Sequence, residues 1–295
     1  MKKAIASLLA CLLVLTVLGT AAAEEAVYGY LGDETVEEQV VYDAEGVRVT
    51  ATGLKIVRYA PVLALRIEND SGRPLAFDLP ESALNDWMWD ATLCLFVDNN
   101  GEPDDDEYYE EGQLTVADGE TLECGLGYAN EYFYEPCGIT GFGELGFVLR
   151  ACDPDSGDTL FVTPAIDVAT SLGADCPGLY VDAGTPAYDD HEIRILIAGL
   201  NADEYGTGVQ VYVNNASDKP VIVTAERCAV NGVETEAWFG AQVSPGRQCL
   251  SIMGFDASIT QIDRLAVAFR VEEYTAEYTE DPTVIGTSDV VEVEF

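Results

Sequence analysis

The stretch GVRVTATGL (Gly46–Leu54) places Val47, Val49 and Ala51 on one side and Arg48, Thr50 and Thr52 on the other. That period of two is the mark of a half-buried β-strand. In PVLALRIENDSGRPLAFDL, alternating apolar residues run into Asn69-Asp70-Ser71-Gly72, then Pro74 and a second apolar run. This is a hairpin with its turn residues in place. TLECGLGY, ELGFVLRA and TLFVTPAIDV read as further strands. Nowhere does a helical period extend far enough to compete.

The same pattern occurs twice. YDAEGVRVTATGL (Tyr42–Leu54) lies over YDDHEIRILIAGL (Tyr188–Leu200) at a shift of 146, and the register holds without a gap to ALND (Ala83–Asp86) over AVNG (Ala229–Gly232). Similarity resumes at Val116–Tyr128 over Val243–Phe255 with a shift of 127, and at Ile139–Arg150 over Ile259–Arg270 with a shift of 120. The drop from 146 to 127 places nineteen extra residues in the first copy, between Asp86 and Val116. Each copy predicts seven or eight short strands separated by turns, which points to tandem β-sandwich modules of Ig-like type, with a long mixed barrel as the alternative. The predicted modules are 24–172, with an acidic, aromatic-rich insertion at about 87–115, and 173–295.

The shared pieces are DAEGVRVTATGL, ENDSGRPL, LND and ADGETL in the first module, and DDHEIRILIAGL, NNASDKPV, VNG and SPGRQCL in the second. This pattern resembles Ig-like domains of unknown function in secreted and envelope proteins of Gram-positive, often gut, bacteria. The resemblance implies a fold and an exported location, and carries no catalytic residues. Module two departs from it where Glu192 stands in the turn-glycine position, and module one where Asp86 stands for the glycine of V-N-G.

The amino terminus agrees with export. Lys2 and Lys3 precede the apolar AIASLLACLLVLTVLG, and Ala21-Ala22-Ala23 supplies a small-residue cleavage site, so residues 1–23 read as a signal peptide. The apolar run is short for a membrane span, and no membrane insertion is expected after cleavage. Cys11 after Leu8-Leu9-Ala10 invites a lipid anchor, but most of the apolar run follows it, which favours ordinary secretion. Cleavage removes two of the 14 basic residues and none of the 53 acidic ones, leaving 272 residues with a formal charge of −41. Such a surface disfavours nucleic acid and anionic lipid as partners. An apolar content of 48% gives the chain enough core to fold despite that charge.

Seven cysteines remain after cleavage (Cys94, Cys124, Cys137, Cys152, Cys176, Cys228 and Cys249), with no C-x-x-C pair for zinc or redox work. The strand predicted between Cys137 and Cys152 would hold them roughly 45 Å apart if straight, so they should not pair with each other. His191 is the only histidine and falls in a predicted turn. Nucleophile-elbow, zincin, P-loop and dinucleotide motifs are all missing, which makes hydrolase and nucleotide readings poor. The expectation is a non-enzyme without a cofactor. A carbohydrate-active enzyme needs only two carboxylates, but among 53 no pair stands out. The sequons at Asn69 and Asn215 occupy one and the same hairpin turn, where Asn and Ser serve the backbone.

Candidate chemistry gathers in the insertion. Trp87, Trp89, Tyr108 and Tyr109 offer aromatic faces for a sugar or a protein partner, the alternative being packing beneath the loop. Tyr132, Phe133 and Tyr134 lie nearby, and module two has Trp238 and Phe239 at the comparable edge. DNNGEPDDDEYYEEG (Asp98–Gly112) presents Asp98, Asn100, Glu102, Asp104, Asp105 and Asp106 as oxygen ligands for calcium. An EF-hand match fails because, with Gly101 sixth, Phe96 takes the first position. A solvated acidic loop is the simpler reading. The functional expectation is a secreted or envelope-associated monomer that binds an unidentified protein or glycan, with a carbohydrate-binding module or a calcium-dependent adhesin as alternatives.

Overall fold

Two left-handed residues in succession close each copy's first hairpin. Glu45 and Gly46 have φ of 55° and 74°, and His191 and Glu192 have 54° and 62°. This is the turn whose twist matches that of paired strands. The computed structural model describes residues 34–57, 60–95, 113–128, 137–139, 141–173, 183–203, 206–274 and 282–295. The signal peptide, the acidic stretch Asp98–Gly112 with Tyr108 and Tyr109, the aromatic residues Tyr132–Tyr134, and Cys176 lie outside them.

The chain is all-β. Its first half supplies β1 (Gln39–Ala44), β2 (Val47–Val57), β3 (Ala60–Asn69), β4 (Leu75–Leu84), β5 (Trp87–Met88), β6 (Thr92–Leu95), β7 (Leu114–Val116), β8 (Glu120–Gly127), β9 (Glu144–Cys152), β10 (Thr159–Val162) and β11 (Ile166–Ala169). The second half supplies β12 (Thr185–Asp190), β13 (Ile193–Asp203), β14 (Gly206–Asn215), β15 (Val221–Val230), β16 (Val233–Glu234), β17 (Gly240–Val243), β18 (Arg247–Met253), β19 (Arg264–Glu273), β20 (Val284–Thr287) and β21 (Val291–Glu294).

These strands form two compact units. The first takes the described residues up to 80, those between 91 and 135, and those from 139 to 176. One of its sheets has the order β1-β2-β3-β8-β6, and in another β4 and β10 flank β9, with β7 on β4 and β11 on β9. The second unit takes 177–295 together with residues 81–90 and 136–138. Its strands β12, β13, β14, β18 and β5 run side by side, and its other sheet is β16-β15-β19-β20, with β17 on β15 and β21 on β19. Ile193, Ile195, Ile197, Val209, Val211 and Val213 from the former share one core with Val221, Val223, Val243, Leu265, Val267 and Phe269 from the latter. Apolar side chains two apart on each strand make this possible, because alternate residues face the opposite sheet.

The duplication extends to irregularities. β1 on β2 slips between Val40 and Tyr42, and β12 on β13 slips between Pro186 and Tyr188. β2 on β3 slips between Ala51 and Gly53, and β13 on β14 between Ile197 and Gly199. All four positions match at the shift of 146. Bulges are built-in bends, and their repetition marks one architecture used twice.

Asn69 and Asn215 explain the hairpin turns. Asn69 Nδ2 donates to the carbonyls of Arg73 (2.8 Å) and Val116 (2.9 Å), and Asn215 Nδ2 donates to those of Lys219 (2.7 Å) and Val243 (2.9 Å). Each Oδ1 accepts the backbone N–H of Ser71 or Ser217 at 3.1 Å. Both side chains are fully buried, so these sequons serve the turn. A second pairing repeats: Leu149 N–H donates to Thr163 Oγ1 (3.0 Å), as Phe269 N–H does to Ser288 Oγ (2.8 Å).

Candidate functional site

Trp87 and Trp89 belong to the interior. Trp87 is 1% exposed and Trp89 is 8% exposed, so neither offers a face to a ligand. Trp87 sits edge-on to Tyr212, with ring centroids 5.9 Å apart. Its strand pairs in parallel with β18 through Gln248. Around it, the Gln248 N–H donates to the Asp86 carbonyl (2.9 Å), Arg247 Nη1 to the Asn85 carbonyl (2.5 Å) and Ser244 Oγ to Glu81 (2.5 Å). These bonds make residues 81–90 part of the second unit. Of the other candidates, Tyr108, Tyr109, Asp98, Asn100, Glu102, Asp104, Asp105 and Asp106 lie outside the described residues.

Burial pushes the thiols of Cys124 and Cys137 up to about 12 and that of Cys228 to about 11. Thiols held protonated in apolar surroundings are poor nucleophiles. His191 Nδ1 lies 3.1 Å from the Tyr188 hydroxyl and 3.4 Å from Asp190 on an exposed turn. Among the described residues no group of three or more His, Cys, Asp or Glu side chains is placed to hold a metal ion.

Among the described residues, an open surface lies on the β15–β16 hairpin of the second unit. A groove of about 520 Å³ runs between Val230, Asn231, Val233, Glu234 and Thr235 on one wall and Asp256, Ser258, Ile259, Thr260 and Gln261 on the other. Asn231 fastens the walls: its Nδ2 donates to the Gln261 carbonyl (3.0 Å), and its Oδ1 accepts the N–H groups of Asp263 (2.9 Å) and Arg264 (3.0 Å). It does so from a left-handed backbone, φ 52°, which Asn tolerates better than most residues. The Asp256 carboxylate is held below its ordinary range by hydrogen bonds from the Ser258 side chain and backbone. It therefore stays charged at neutral pH. Val233 is 66% exposed at the groove's lip.

Trp238 does not line this groove but lies close to both of its walls along the chain. It lies three residues past Thr235, and it exchanges backbone hydrogen bonds with Gly254 (2.9 and 3.0 Å), two residues before Asp256. The two neighbouring aromatics face opposite ways. Phe239 turns inward to meet Phe269 edge-on, at 5.7 Å, while Trp238 remains 58% exposed. A Cβ added at Gly254 would lie 3.8 Å from the indole edge, so the ring rests close over a residue without a side chain.

Residue for residue, the β15–β16 hairpin is the counterpart of β4–β5 at the shift of 146. Trp87, Met88 and Trp89 in the first copy correspond to Val233, Glu234 and Thr235 in the second. One hairpin carries the groups of a buried element, the other those of a wet surface. Trp238 corresponds to Thr92, and its bridge to Gly254 matches the pairing of Thr92 with Gly127. That substitution was the available sequence signal for the site. No protein-family model and no curated protein matches the chain.

Proposed function

We propose that this is an exported, non-enzymatic binding or scaffold protein of the cell envelope or extracellular medium. On this reading it is built of two tandem Ig-like β-sandwich modules after a cleaved signal peptide, with residues 81–90 and 136–138 of the expected first module belonging to the second compact unit. Recognition belongs to the second module, at the groove beside Trp238. The observation that carries the reading is the 58% exposure of Trp238 at the edge of a closed core, near an open groove lined by both polar and apolar residues. Large exposed aromatics with polar groups around them are typical anchors of recognition surfaces. The acidic surface, with a formal net charge of −39 for the full chain, supports a partner that is neither nucleic acid nor anionic lipid.

Co-sedimentation of the purified protein with isolated Gram-positive cell envelopes tests this. The wild-type protein is expected to pellet saturably, and Trp238→Ala is expected to stay largely in the supernatant. Equal pelleting of both proteins, or none by either, would remove the assignment.

A further inference from the structure

Resting on that reading of the groove, we infer that its ligand is an uncharged polysaccharide, bound with one pyranose ring stacked on Trp238 and its neighbour's hydroxyls in the groove. Three observations on the second unit lead there. The first is the flat, exposed indole, whose apolar face matches the axial C–H face of a sugar ring. It is held by its backbone bridge to Gly254, and the next residue, Phe239, is anchored against Phe269, so little ordering is needed on binding. The second is the lining. Glu234 and Asp256 supply carboxylates, and Thr235, Ser258 and Gln261 supply hydroxyl and amide oxygens. Thr235 Oγ1 already donates to the Val233 carbonyl (3.0 Å) and Gln261 Nε2 to Asp263 (2.7 Å), so the lining offers chiefly acceptors to sugar hydroxyls. Asp256 is already ordered by Ser258 and Asn231 is already used between the walls, so the frame is made before a ligand arrives. The groove volume falls within the roughly 300–1,000 Å³ of small-ligand sites.

The third is charge. Two carboxylates in the groove and a strongly acidic whole disfavour uronates, sulfated glycans and phosphate-bearing polymers. A polycation would adhere to any such surface, and salt would release it. A neutral glycan is the class for which stacking plus short-range hydrogen bonds suffice. A protein ligand would cover the same apolar groups, the indole and the lining residues Val230, Val233 and Ile259, and is the alternative outcome of the test below.

The protein carries its own probe. It has three tryptophans, and two of them, Trp87 and Trp89, are buried. Acrylamide-accessible emission therefore reports Trp238. The full chain is titrated with mixed-linkage β-glucan, xyloglucan, galactomannan and pullulan, and with polygalacturonate, in about 0.5 M NaCl to screen charge. At least one neutral polymer is expected to shift the emission to the blue and protect it from acrylamide, saturably. The same polymer should bind Trp238→Ala about tenfold more weakly by affinity electrophoresis, and Glu234→Gln a few-fold more weakly. Trp238 is a surface residue, and unchanged circular dichroism would show that its variant folds.

Protection by none of the neutral polymers, protection by polygalacturonate alone, or undiminished binding by Trp238→Ala would each overturn the glycan assignment. Envelopes treated with protease or with periodate separate this inference from the broader one. If protease alone abolishes Trp238-dependent pelleting, the recognition surface stands and its ligand is a protein. If periodate alone abolishes it, the glycan assignment is supported.

Discussion

At the scale of the residue, the fold depends on a few polar side chains in places where only one chemistry works. Asn215 is buried with both amide hydrogens spent on main-chain carbonyls. Asn215→Ala would strand the Lys219 and Val243 carbonyls away from water. Each lost bond to a buried group costs about 1–3 kcal/mol, so the urea midpoint should fall by an amount equivalent to about 2–4 kcal/mol. Asn69→Ala should behave alike, for the same geometry. The opposite sign is expected at Glu192. It holds φ 62° where the first copy has Gly46, and a side chain in that region costs roughly 1–2 kcal/mol. Glu192→Gly should therefore raise stability by about 0.5–1 kcal/mol, the glycine's unfolded-state entropy taking back part of the relief. Gly46→Ala should lower it, since its Cβ would come within 2.7 Å of the Ser71 Cα. Chemical denaturation of the three proteins checks both directions.

At the scale of the element, two hairpins from one pattern have opposite fates, and their sequences explain it. Trp87 fills space against Tyr212 inside the second unit, so Trp87→Ala should cost about 3–5 kcal/mol. Amide exchange should then lose protection in β14, which carries Tyr212, and in β18, which lies between β14 and β5. Trp238→Ala, at the second copy's counterpart of Thr92, should change stability by under about 0.5 kcal/mol, since it vacates solvent-facing surface. Equal losses in the two variants would show that Trp238 is structural. The alternating strands, the hairpin turns and the duplication were all legible in the sequence, because periods of two and turn residues act locally. The burial of Trp87 and Trp89 was not. Tryptophans two apart on an apolar-polar boundary fit a ligand platform and a core equally well, and only the distant Tyr212 and Gln248 decide between them. Comparing the copies position by position, Trp-Met-Trp against Val-Glu-Thr, carried the information that pointed to the second module.

At the scale of the molecule, charge dominates. With 53 acidic and 14 basic residues, compaction brings like charges together, and screening should relieve the repulsion. Ion pairs such as Arg48–Asp43 (2.8 Å) and Lys219–Glu273 (2.6 Å) are isolated and largely solvent-facing, and offset little of it. Raising NaCl from about 0.02 to about 0.5 M should therefore raise the melting temperature by several degrees, against the ordinary expectation that salt weakens surface electrostatics. This bears on calcium. A diffuse acidic surface responds to ionic strength and valence, whereas a built site responds to one ion. At matched ionic strength, millimolar calcium and magnesium should shift melting equally if Asp98–Asp106 form a solvated loop. A rise specific to calcium and removed by chelator would demonstrate a site, because a ligand bound only to the folded state stabilises it by mass action. Asp98→Asn with Asp104→Asn should abolish such a rise while leaving the NaCl response in place. The pair of measurements thus separates a calcium-dependent adhesin from a protein whose acidity serves solubility alone.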